Sequence, residues 1–253
     1  MTALLLVALA VSVQAAPAEC WGKHGGFYAA VIENPGANFR VDLGAKRFAE
    51  AAKLGLVVTN GTFFGAGSDG LKPLGDAVVG GKAWKPAADR LTTGDGRKVD
   101  LSLRWGIGVD GSGAAKVYTG AQARSAGLRQ FLGGAGLLLY KGRSALEANR
   151  YEDGVWGPSF APDVLSRTTG RTALGVRADG ALVVVGAPRE PGAGLAALAQ
   201  AAADLGAVEA VFYDGGKAAG FSAGPPGHPL RLESAPHPAE DVNPSHLVFK
   251  ACR

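Results

Sequence analysis

Short apolar stretches separated by glycine-rich turns run through most of the chain, and their period sorts them into elements. Residues 26–33 (GFYAAVIE), 39–43, 56–59, 77–84, 106–110, 116–119 and 136–140 read as strands, because apolar, β-branched and aromatic residues cluster there over strand length. Residues 171–176 and 181–186 read as a hairpin around Ala178-Asp179-Gly180, a strong turn signal. Residues 208–213 read as a buried strand, and 246–251 as the last one. A helical period shows at three places. In residues 45–54, Phe48, Ala51, Ala52 and Leu54 form an apolar face and Gly55 is the stop. Residues 122–132 form a second candidate. In residues 194–205, Leu195, Leu198, Ala199, Ala202 and Leu205 share one face and Gly206 ends the helix. Residues 144–170 and 220–244 read as long loops, with no internal repeat and no linker between domains. The pattern predicts a single α+β domain over residues 20–253, with a mixed β-sheet core and flanking helices.

The first residues change the picture of compartment. Residues 3–13 (ALLLVALAVSV) form an apolar run of signal-peptide length, too short to span a bilayer. Small residues at Val13 and Ala15 predict cleavage near Ala15 or Ala16, so residues 1–15 are expected to be a signal peptide. The alternative is a buried N-terminal strand. Glu19 directly before Cys20 argues against a lipid-anchored cysteine. No later window is apolar enough to span a membrane. A secreted or periplasmic location is expected, and in an oxidising compartment Cys20 and Cys252 are expected to bridge rather than remain two free thiols.

Composition narrows the function classes. Hydrophobic residues make up 47% and charged residues 19% of 253, which allows a sizeable core and excludes wholesale disorder. Glycine is abundant at 39 residues but has no triplet period, which excludes collagen. The net charge of +4 is spread without Lys/Arg runs, whereas a nucleic-acid binder concentrates its basic residues. Two cysteines are too few for a zinc finger or a disulfide-dense scaffold. No G-x-S-x-G elbow, H-E-x-x-H motif or Walker A sequence is present, and His24, His228, His237 and His246 lack metal-ligand spacing. No cofactor is identified, and a divalent cation is left open.

Three polar spots end or open apolar strands. Asn60-Gly61 begins NGTFF, where glycine lets the backbone turn and approach a ligand. Tyr213-Asp214-Gly215-Gly216 presents a carboxylate at the end of a buried strand. Arg171-Thr172 opens a strand with a planar guanidinium suited to phosphate or carboxylate. Taken singly, each also fits an ordinary turn, an Asx-turn or a solvated strand-edge arginine.

Their order along the chain is more specific. A helix stopping at glycine leads to an apolar strand into NGTFF, then a PLG turn. Next come LLLYKGR, RTALGV with its hairpin, a Leu/Ala helix ending in Leu-Gly-Ala, and a strand into DGG. This series, over roughly residues 45–250, resembles the phosphodiester glycosidase domain family. The resemblance implies a secreted enzyme cleaving a glycosidic bond to a phosphodiester or a related envelope glycan, with a carbohydrate or sugar-phosphate substrate. Carried over by position, Asp214 is implied as the carboxylate near the anomeric carbon and Arg171 as the holder of the phosphate. Asn60, Gly61, Thr172, Gly215, Gly216 and Lys217 are implied in substrate binding, with Asn60 and the Gly215 and Gly216 amides orienting sugar hydroxyls. Asn243 matches the late asparagine of the family. Two departures stand out: Lys217-Ala218-Ala219 replaces the usual Gly and Ser after DGG, and Glu240-Asp241 stands where an arginine is expected before Asn243. Asp69, Asp76 and Glu240 are the candidates for a second carboxylate. The competing function is a non-catalytic glycan-binding envelope protein on the same scaffold, presenting an aromatic platform such as Trp105 or Trp156.

Overall fold

A computed structural model describes residues 20–67, 70–84, 86, 90–92, 98–146, 167–225, 230–233 and 242–252. The expected signal peptide lies outside them, as do Trp156, Asp69, Glu240, His228, His237 and most of the expected 144–170 loop.

Three antiparallel sheets build the molecule. The largest has seven strands in the order Trp21–His24, Phe27–Ile32, Leu182–Ala187, Arg171–Arg177, Ala207–Phe212, Gly136–Tyr140 and Arg143–Ser144. A five-stranded sheet runs Leu230–Glu233, Gly220–Ala223, Val57–Asn60, Val242–Phe249 and Phe39–Arg47. A second five-stranded sheet runs Ala115–Thr119, Trp105–Val109, Gln130–Gly133, Ala77–Val79 and Lys82–Trp84. Two small ladders, Phe64–Gly67 with Gly70–Pro73 and Arg90–Thr92 with Lys98–Asp100, complete the described strands.

The central strands of the seven-stranded sheet are buried on both faces. Leu182, Val184, Leu174 and Val211 join Val57, Phe221, Leu247, Ile107 and Leu132 in a core shared by all three sheets. On the other face, Val183, Val185, Leu139 and Phe212 pack under Leu195, Leu198 and Ala202 of the helix Leu195–Asp204. Two covered faces explain why strand Leu182–Ala187 is a continuous apolar run rather than an alternating one.

The expected α+β fold is corrected: the molecule is mostly β, its described ladders are all antiparallel, and Leu195–Asp204 is the only described helix longer than six residues. The reasons are tertiary. The apolar face of residues 45–54 does not carry a full helix, because strand Phe39–Arg47 stays paired with Val242–Phe249 as far as Arg47. Only Phe48–Ala51 is helical. In residues 122–132 the helix Gly120–Ser125, capped by Thr119 and Gln122, gives way after Gly127 (φ 64°) to strand Gln130–Gly133. The crossover through Leu195–Asp204 does not make a parallel pair either. It delivers Ala207–Phe212 to the far side of Arg171–Arg177, so that hairpin strand separates the two that run parallel. The expected 220–244 loop contains the strands Gly220–Ala223 and Leu230–Glu233.

Cys20 and Cys252 form a disulfide 232 residues apart in sequence. Closing a loop of that length in the unfolded chain is worth about 5 kcal/mol on the loop-entropy account. Among the described residues, no helix is long and apolar enough to cross a membrane.

Candidate functional site

The strand Ala207–Phe212 runs out of the core into Tyr213 and Asp214, and both neighbouring sheets hold that end in place. The Tyr213 hydroxyl donates to the Leu132 carbonyl at 3.2 Å and accepts from the Ile107 N–H at 3.4 Å, which ties it to the sheet containing Trp105–Val109. The Tyr213 N–H donates to the Thr172 carbonyl at 2.9 Å. One residue on, the Asp214 N–H donates to the Gly61 carbonyl at 3.2 Å. The Asp214 carbonyl accepts twice, from Asn60 Nδ2 at 2.8 Å and Thr172 Oγ1 at 3.0 Å. Asn60, Gly61, Thr172 and Asp214, spread over more than 150 residues of sequence, therefore meet at one point.

Asn60 has no surface exposure, and its amide is fully engaged. Its Nδ2 also reaches the Gly61 carbonyl at 3.2 Å, and its Oδ1 accepts from the Gly220 N–H at 3.0 Å. The Asn60 side chain, expected to orient sugar hydroxyls, thus has its donors and acceptor bound to the protein. The same holds for the two glycine amides. Gly215 N–H donates to Asp214 Oδ1 at 2.8 Å, and Gly216 N–H donates to the Gly170 carbonyl at 2.8 Å.

Glycine is required at 61 by space. A methyl group there would lie 2.8 Å from both Cβ and the carbonyl oxygen of Ser245. The Gly61 N–H donates to that carbonyl at 2.9 Å, and Ser245 Oγ accepts from the Thr62 N–H at 3.2 Å. Gly216 is needed for its backbone, at φ 62°.

Asp214 is 9% exposed. Burial raises its carboxyl to about 7, against the lowering influence of the Gly215 N–H and of the Arg104 and Arg171 charges. Arg171 is 3% exposed; its side chain runs past Gly215 and one terminal nitrogen donates to the Arg167 carbonyl at 2.9 Å. Arg104 is 2% exposed, its guanidinium lies 5.9 Å from the Phe63 ring centroid, and burial lowers it to about 10 while Asp214 raises it. The centre is thus a buried carboxyl that feels the charges of two buried cations.

Arg104 is the residue that sequence reasoning missed. Its signal was the one that singled out Arg171, a charged residue opening an apolar strand, here Trp105–Val109. Ser245 was missed too, and a serine inside a strand carries no such signal. The remaining expected residues stand further out. Lys217 is exposed in a single turn, Gly216–Ala218. Asn243 is buried opposite Lys46, and among the described residues no hydrogen bond ties its side chain to Asp214 or Asn60. Asp76 is buried and pairs with Arg124 at 2.8 Å. Among the described residues, no group of three or more His, Cys, Asp or Glu is placed to hold a metal ion.

The sequence profile of the phosphodiester glycosidase family matches residues 53–247. The chain belongs to that family, a class of glycosidase-type hydrolases. A search of curated protein sequences finds no match. Among solved structures, the chain is similar to the catalytic domain of zebrafish N-acetylglucosamine-1-phosphodiester alpha-N-acetylglucosaminidase, auto-inhibited by its pro-peptide. The TM-score is 0.65 at 16% identity, over 89% of this chain and 76% of that one. It is also similar to a hypothetical protein from Synechocystis, with a TM-score of 0.56 at 17% identity over 91% and 61% of the two chains. A putative exported protein from Burkholderia pseudomallei gives 0.53 at 16% identity over 89% and 74%. At such identities the likeness is one of fold.

Proposed function

We propose that this protein is an exported hydrolase that cleaves the bond between a sugar's anomeric carbon and a phosphodiester, with Asp214 at the reacting centre. The observation that carries this reading is the buried Asp214 carboxyl, its backbone carbonyl held by Asn60 and Thr172, which burial raises to about 7 against the lowering charges of Arg104 and Arg171. A group with a pKa of about 7 exchanges its proton at working pH, which suits general acid–base chemistry. The anomeric carbon acquires oxocarbenium character as the bond to oxygen breaks, the departing phosphomonoester takes the electron pair, and a water that gives up a proton closes the new bond to that carbon. A phosphomonoester leaves readily, so little acid assistance is needed, and Asp214 serves the water as base. The protein's task shifts to stabilising charge, for which two desolvated guanidinium groups are suited.

Arg171 and Arg104 receive the phosphate in this reading. Asn60 and Thr172 act one step back as positioning residues, because both grip the Asp214 carbonyl. Lys217, exposed on the following turn, adds positive charge at the rim. Support for export comes from the Cys20–Cys252 disulfide, the apolar run at residues 3–13 and the likeness to an exported protein.

The test is a substrate panel of sugar-1-phosphodiesters and uncharged aryl glycosides, run with the wild type and Asp214→Asn. The wild type is expected to prefer phosphodiesters, and Asp214→Asn to lose about 100-fold or more in turnover. An Asp214→Asn enzyme as fast as the wild type removes Asp214 from the chemistry. A wild type that binds glycans but hydrolyses no member of the panel makes the protein a binding protein on this scaffold.

A further inference from the structure

A cleft of about 160 Å³ lies at the end of the sheets remote from Asp214, lined among others by Gly36, Asn38, Arg40, Arg129, Gln130 and Lys250. The strand Trp105–Val109 measures the separation. It starts next to Arg104 in the candidate site and ends at Val109 in the wall of the cleft. Five residue steps of strand place the two roughly 16 Å apart. The neighbouring sheet agrees: Asn60 pairs with His246 at the site end, while Val57 pairs with Phe249, next to Lys250, at the cleft end.

The lining is positive without compensation. Arg40, Arg129 and Lys250 are its charged residues, and none of them forms an ion pair among the described residues. Asp110, adjacent to Val109, has its carboxylate turned into its own turn, accepting from the Ser112 and Ala114 N–H groups and the Ser112 hydroxyl. Gln130 Oε1 already accepts from the Val41 N–H at 3.0 Å, which leaves its amide NH₂ as a donor. The Nε of half-buried Arg40 is itself buried and has no hydrogen-bond partner. Three cations around one small cavity repel each other, and an anion among them relieves that repulsion.

We infer that this cleft is a second anion site, separate from the candidate active site, that takes one phosphate group among the cationic side chains of Arg40, Arg129 and Lys250. The volume falls below that of typical small-molecule pockets, so it suits a single charged group rather than a whole ligand. A guanidinium fork and an ammonium are the donors that match tetrahedral phosphate oxygens. Free phosphate and a phosphate carried on a polymer present the same chemistry here.

The test is an NMR titration of the full chain with inorganic phosphate. The amide signals of Asn38, Arg40, Gln130 and Lys250 are expected to move together on one saturating curve. Arg40→Gln is expected to weaken binding at these signals by about 10-fold or more, and Lys250→Gln, at an exposed position, by several-fold with the fold untouched. Arg171→Gln is expected to leave the curve unchanged. Poly(glycerol phosphate) in place of inorganic phosphate identifies the source. Tighter binding that Arg40→Gln abolishes points to a phosphate on a chain, equal binding points to the free ion, and either supports the site. No movement of these signals at tens of millimolar phosphate overturns the inference, as do Arg40→Gln and Lys250→Gln proteins that both titrate like the wild type.

Discussion

The side chain of Asn60 and the backbone of Asp214 are locked together across two sheets. Asn60 Nδ2 donates to the Asp214 carbonyl at 2.8 Å, and the Asp214 N–H donates to the carbonyl of Gly61 at 3.2 Å. The acid thus takes its place from a strand it does not pair with. Asn60 belongs to the sheet containing Val57–Asn60, and Asp214 follows a strand of the seven-stranded sheet.

Asn60→Ala removes the side-chain link and leaves the backbone link to Gly61 in place. It leaves the Asp214 carbonyl with one donor fewer and the Gly220 N–H without its acceptor. The expected cost is about 1–3 kcal/mol of stability, read as a lower urea midpoint. Turnover is expected to fall with KM little changed, because the displaced group is the acid rather than a substrate contact. A variant that loses only substrate affinity would return Asn60 to direct sugar binding.

Gly61→Ala sets a methyl group against Ser245, 2.8 Å from its Cβ and its carbonyl oxygen. Overpacking of this kind costs about 1–3 kcal/mol. Adding Ser245→Gly is expected to recover only part of the loss, since the backbone carbonyl remains in the way. Thermal melts of the single and double variants measure it.

Arg171→Ala and Arg104→Ala are expected to separate charged from neutral substrates. Each charge-assisted contact to phosphate is worth about 1.5–3 kcal/mol, so turnover of a sugar-1-phosphodiester should drop about 10- to 100-fold. An uncharged aryl glycoside should lose far less. Equal losses on both substrates for either variant assign that arginine to structure.

Two buried groups oppose each other in the pH dependence of stability. Asp214 has its pKa raised to about 7 from 3.8, so the folded state holds a proton that the unfolded state has released. Stability from this group falls as pH rises from about 4 to 7. His246 has no surface exposure and lies 3.9 Å from Asp42 Oδ2. Burial lowers it to about 4, with Asp42 raising and Lys46 lowering it. Its contribution is lost as pH falls from about 6.5 to 4. Asp214→Asn should match the wild type near pH 4 and exceed it at pH 8, by an amount on the order of a few kcal/mol. Urea melts across that range decide it. A less stable Asn variant at pH 8 would mean that the two arginines hold Asp214 as an ionised anchor.

The linear sequence determined the local features of this protein. Apolar runs placed the strands Gly136–Tyr140, Arg171–Arg177 and Leu182–Ala187 to within a residue or so, and one apolar face placed the helix Leu195–Asp204. Each signal is contained in consecutive side chains, so it survives in one dimension. The polar residues that end or open those strands also singled out Asn60, Thr172 and Asp214, which the fold brings into contact. Only the tertiary structure decided the rest. Residues 45–54 have a helical period, yet pairing with Val242–Phe249 keeps part of them extended, because ladder bonds to a distant strand outweigh a weak local preference. The antiparallel order of the seven-stranded sheet depends on which strand lies between two others, which no local pattern encodes. The state of Asp214 is decided in the same way. An exposed Asp at a turn is an ordinary acid, and only burial under the surrounding strand ends raises its carboxyl to about 7, against the lowering charges of Arg104 and Arg171.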